Sequence, residues 1–116
     1  MAKKVVEMVR PIVLEKEDGT KLTLEYDRGT IFEMDRAGVI GGTFLATIDE
    51  HPISSMFTIF RWSLVMHHKE ITDEQAKEIF FEIGLDSDFM TRLTELFLAS
   101  YTSIIDARKN SVWTVK

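Results

Sequence analysis

The chain has 116 residues, 45% hydrophobic and 28% charged, with 14 basic against 19 acidic side chains and a formal net charge of −5. One folded domain is implied, and the acidic balance argues against a nucleic-acid partner. The absence of cysteine excludes disulfides, thiolate metal sites and cysteine nucleophiles, and suits a reducing compartment. No stretch approaches the roughly 18 uncharged apolar residues of a membrane span, so the expectation is a soluble protein without a membrane partner.

In chain order, the lysines of MAKKVVEMVRP precede no sustained apolar run, and residues 1–10 read as a loosely held arm. Runs rich in Val, Ile, Leu and Thr follow, and Leu22, Leu24 and Tyr26 alternate with Thr23 and Glu25. This period of two predicts strands, and Asp18-Gly19 between them supplies residues that tolerate the turn of a β-hairpin, assigned to 11–26. Pro11 cannot donate to a ladder, which makes the first strand an edge or starts it after the proline.

Helical periodicity then takes over through residue 107. In YDRGTIFEMDRAG, Thr30 and Glu33 have capping-box spacing, Asp27 is an alternative cap, and Gly38 stops a short helix whose buried side carries Ile31 and Met34, with Phe32 as a further candidate. IGGTFLAT reads equally as a turn of helix or a brief extended piece. A helix starting near Asp49 or His51-Pro52 should run to about His68. Thr72 with Gln75 caps the next, which ends at Gly84; Asp86 or Asp88 caps the last, running to about Asp106. The fold class is α+β: an N-terminal hairpin followed by a small bundle of about four helices in one domain, 11–107, with a tail at 108–116.

No residue pattern carries catalysis. His67 and His68 are adjacent, so on a helix they project about 100° apart, and His51 lies about 24 Å away along the same helix. Metal ligation is not expected, and the two histidines suit the negative end of the helix instead. Asp86 and Asp88 match two positions of a calcium loop, but Thr91 and Phe97 stand where glycine and glutamate are needed. The glycines of DRAGVIGGT follow no phosphate-binding pattern, and no serine lies in a nucleophile elbow. The chain is therefore expected to be no enzyme and to need no cofactor.

The helix around FTIFRWSLVMHH carries two apolar stripes. Ile53, Met56, Phe57, Phe60 and Leu64 make one; Ile59, Trp62 and Met66 make the other. Either both are covered within the domain, or the second stripe, with Trp113 of the tail, receives another protein. On the second reading the candidate binding residues are Ile59, Trp62, Met66 and Trp113, and the protein either self-associates or captures a partner there.

The succession of KLTLEYDRGTIFEMDRAG, FTIFRWSLVMHH, EITDEQAKEIF and a last helix resembles, over about Ile12 to Ile105, the tail assembly chaperones of long-tailed bacteriophages. The resemblance implies a host-cytoplasmic protein that escorts the hydrophobic tape-measure protein, helps recruit tail-tube subunits and leaves before the tail is complete. A small cytoplasmic adaptor that binds one partner through the same helix is the alternative.

Overall fold

The structure is a computed structural model that describes residues 10–39, 42–106 and 112–116. Strands β1 (Ile12–Glu15) and β2 (Lys21–Leu24) pair antiparallel, with Ile12 opposite Leu24 and Glu15 opposite Lys21. The loop closes when Lys16 N–H donates to Thr20 O and Gly19 N–H donates to Lys16 O, both at 2.9 Å. Gly19 takes φ 92°, which a residue with a Cβ rarely adopts, and this is why the turn carries glycine. Asp18 Oδ1 accepts from Thr20 N–H at 2.9 Å, and that bond lowers its carboxyl below the ordinary range. β1 begins immediately after Pro11, as the missing donor requires. Of the expected arm, only Arg10 lies within the described residues, and it is exposed.

Among the described residues five helices follow: α1 (Arg28–Arg36), α2 (Gly42–Glu50), α3 (Pro52–Ser63), α4 (Asp73–Ile83) and α5 (Ser87–Ile105). The hairpin-first α+β architecture is as expected, and the undecided IGGTFLAT stretch contributes the fifth helix. Asp27, rather than Thr30, caps α1: its Oδ1 accepts from Thr30 N–H at 2.7 Å, while Thr30 is buried inside the helix. Phe32, the further candidate for the buried side, is 59% exposed. The helix ends in a Schellman arrangement, Val39 N–H to Met34 O and Gly38 N–H to Asp35 O, with Gly38 at φ 80°. Thr72 and Gln75 form the reciprocal capping box of α4. Asp86 Oδ1 accepts from Phe89 N–H at 2.8 Å and caps α5, which accounts for the first of the two calcium-like carboxylates.

α3 is the central element, packing on α2, α4 and α5. Its Met56, Ile59 and Phe60, with Leu64 just beyond, meet Ala76 and Phe80 of α4 and Phe89, Leu93, Leu96 and Phe97 of α5 in one core. Ile12, Leu24 and Tyr26 of the hairpin region and Ile31 and Met34 of α1 complete it. Each Ile, Leu, Met or Phe among them contributes about 1.5–3 kcal/mol when fully buried. Aromatic edges knit the elements: Phe57 to Phe80 at 5.3 Å, Phe60 to Phe89 at 6.4 Å, and Tyr26 to Phe97 at 5.7 Å between ring centroids.

Candidate protein-binding surfaces

The second stripe of α3 does not form a continuous surface. Ile59 is 0% exposed and belongs to the core, so its expected role as a binding residue is corrected. Ser55, Met56, Ile59, Phe60 and Ser63 all face inward, because the hairpin, α4 and α5 cover a wider arc of α3 than one stripe. Trp62 is half-buried against that core on its flank. Met66 is 36% exposed, but it lies outside the helix, so the seven-residue spacing from Ile59 carries no common face. Trp113 is 80% exposed in the C-terminal segment.

The helix stops at Ser63, short of the expected His68, for identifiable reasons. Ser63 Oγ donates to Phe60 O at 2.6 Å, and Ser63 O accepts from Glu25 N–H at 3.0 Å, so the hairpin region takes a carbonyl that a longer helix would use. Leu64 and Val65 then bond three residues back, to Arg61 O and Trp62 O, which tightens the chain into turns. Arg61 secures the far side of this segment, with Nε 2.6 Å from Asp73 Oδ1 and a terminal nitrogen 3.1 Å from Ile71 O.

The histidines consequently stand on a turn and not at a helix end. Thr23 N–H donates to His68 Nε2 at 3.0 Å. A backbone amide can only donate, so Nε2 must accept, and the neutral ring carries its proton on Nδ1. His67 Nε2 lies 2.7 Å from Glu25 Oε1. Both rings therefore fasten the 64–72 segment to the end of β2, a contact across 45 positions of sequence that no local pattern announces. Tyr26 adds to the same seam: its hydroxyl donates to Ile59 O at 2.7 Å, and burial pushes the phenol well above its ordinary pKa. Among the described residues, no group of three or more His, Asp or Glu side chains is placed to hold a metal ion. No helix among them is long and apolar enough to cross a membrane.

Apolar side chains reach solvent at other places. Phe81 on α4 is 65% exposed and Ile53 on α3 is 57% exposed, on two helices packed through Phe57 and Phe80. Phe81 falls off the apolar face of α4 set by Ala76 and Phe80, a signal already present in EIFFEI. On α4 a groove of about 460 Å³ has Ile71 and Ile79 among its walls, together with Glu70, Glu78 and Glu82. A second groove, about 630 Å³, runs between β1 and α5. In the tail, Val112 and Val115 are 92% and 79% exposed.

A hairpin-led helical domain with two grooves of mixed polarity and with Phe81 and Trp113 exposed defines a small α+β protein. The chain belongs to the family described as Domain of unknown function (DUF5055), whose sequence model matches residues 1–116. No curated protein and no solved structure matches it.

Proposed function

We propose that this protein is a non-catalytic tail assembly chaperone of a long-tailed bacteriophage, which binds apolar segments of the tape-measure protein in the host cytoplasm and assists tail-tube assembly. The observation that supports the reading is the α4 helix, which exposes Phe81 on one side and on another borders a groove with Ile71, Ile79 and three glutamates in its walls. Such a surface suits an apolar segment flanked by basic residues, with the apolar walls supplying affinity and the carboxylates orientation. The resemblance in the order of elements, and not the grooves, is what names the tape-measure protein as the occupant.

Coexpression with the tape-measure protein of the same genome tests the reading. The unaltered chain should keep the tape-measure protein soluble and copurify with it. Phe81→Glu combined with Glu78→Lys alters only exposed positions, so it should leave the circular dichroism spectrum unchanged while abolishing copurification. A lost aromatic anchor commonly weakens binding by about 2 kcal/mol or more. A tape-measure protein that aggregates equally with and without the unaltered chain overturns the reading.

A further inference from the structure

We propose that His68 is a proton-operated release at the seam between β2 and the 64–72 segment: the neutral ring ties the segment to the strand, and the imidazolium lets it go. The inference is independent of the proposed function, because it concerns how the chain beside the α4 groove is held and not what the groove takes.

The tie depends on a lone pair. Thr23 N–H donates to His68 Nε2 at 3.0 Å, and the His68 side chain is only 17% exposed. The amide nitrogen cannot accept in return, so a proton arriving on Nε2 sets one N–H against another and removes the bond. Imidazole is the side chain whose ordinary protonation range falls between pH 5 and 8, with carboxylates titrating below it and lysines above. The chain has three histidines, and His51 stands at the far end of α3, away from the seam.

The neighbouring histidine responds in the opposite sense. His67 Nε2 lies 2.7 Å from Glu25 Oε1, so a proton there gives a charge-assisted contact instead of breaking one. The other charged groups about the seam do not restore what His68 loses. From the exit of β2 come Glu25, taken by His67, and Asp27, whose carboxylate also feels His67. From the segment itself comes Glu70, with Oε2 3.8 Å from His68 Nδ1. That nitrogen carries a proton in both states, so Glu70 cannot replace a bond made at Nε2, and at 75% exposure its attraction is screened. Lys21 on β2 and Lys69 beside the ring are exposed. In mild acid the segment is therefore held through His67 and released at His68. Arg61 keeps its bonds to Asp73 and Ile71 O, so the opening is local and leaves the core closed. It adjoins the α4 groove, because Glu70 and Ile71 line that groove and Ile71 N–H donates to His68 O at 3.1 Å.

Amide hydrogen exchange of the full chain from about pH 8 to about pH 5, expressed as protection relative to an unstructured chain and recorded beside imidazole nitrogen spectra, is the test. At the upper pH the His68 ring should carry its proton on Nδ1. Toward the lower pH the protection of the Thr23 amide should fall about tenfold or more, in step with the His68 ring, while amides of the core helices keep theirs. His68→Gln offers a carbonyl that accepts without titrating, so Thr23 should stay protected across the range. His67→Gln should retain the fall. A Thr23 amide equally protected at both ends, a fall that survives His68→Gln, or one that disappears in His67→Gln overturns the proposal. Should His68→Gln fail to fold, the unaltered protein decides alone: a proton on Nε2 at the upper pH, or a loss of protection out of step with the His68 ring, overturns it as well.

Discussion

The two edges of the hairpin share one sheet and one turn, yet they are finished in opposite ways. Along β2 and just past it, the outward amides of Thr23 and Glu25 donate to His68 Nε2 and Ser63 O, and Tyr26 is tied to Ile59 O. Along β1 the outward groups of Val13 and Glu15 meet no backbone partner among the described residues. An edge that is closed by side chains and by a helix-ending carbonyl cannot accept another strand, whereas an open one can. The comparison teaches that the sheet is sided: one edge is tied into the fold by residues 63 and 68, and the other has no backbone partner among the described residues.

The largest expected effect tests the ground on which the closed edge stands. Ile59→Ala leaves a cavity beneath the seam and should destabilise by about 2–5 kcal/mol in chemical denaturation. A loss below about 0.5 kcal/mol would return Ile59 to a surface role. Next comes the seam itself. His68→Ala strips the acceptor from Thr23 N–H in a part-buried site and should cost about 1–3 kcal/mol, with faster hydrogen exchange at the Thr23 amide. Equal exchange rates at Thr23 and Val13 in dilute unaltered protein would erase the contrast between the edges.

A smaller effect concerns the exit from the closed strand. The hydrogen bond from Thr30 N–H holds the Asp27 carboxyl below its ordinary pKa. A lowered carboxyl favours the ionised folded state, so its contribution is complete above the unfolded value of about 3.9 and is lost as pH falls through the folded value. Asp27→Asn retains a capping oxygen, and it should therefore leave stability at pH 7 nearly unchanged while flattening the loss of stability below about pH 4. The smallest effect belongs to the open edge: Val13→Lys should shift the denaturation midpoint by no more than about 0.5 kcal/mol. A penalty as large as that of His68→Ala would show that both edges serve the fold.

The readable parts of this fold were the ones governed by neighbours in sequence. Asp18-Gly19 and the Thr72–Gln75 box act over two or three residues and are legible as spacing, whereas spacing narrows the cap of α5 only to Asp86 or Asp88, and the bond from Phe89 N–H selects Asp86. The choice of Asp27 over Thr30 was left open, because both oxygens suit a cap and only the burial of Thr30 separates them. Periodicity showed that α3 is apolar over a broad arc, but not that the hairpin covers Ile59, since Tyr26 approaches from 33 positions away. The end of α3 was hidden for the same reason, because the Ser63 carbonyl is claimed by Glu25. Of the candidate binding residues, Trp113 is exposed and Ile59 is not, and the exposure of Phe81 is written in its position off its helix's apolar face.

The tie between Thr23 and His68 also orders events in time. The hairpin turn and the individual helices close over short loops, which form quickly, while the bond that seals β2 must wait until α3 has formed and the chain has turned back through residue 68. During synthesis the hairpin emerges well before its seal, so for that interval both of its edges are open to neighbouring nascent chains. A slow step in refolding should therefore coincide with protection of the Thr23 amide, and the period before it is when this protein is most exposed to mispairing.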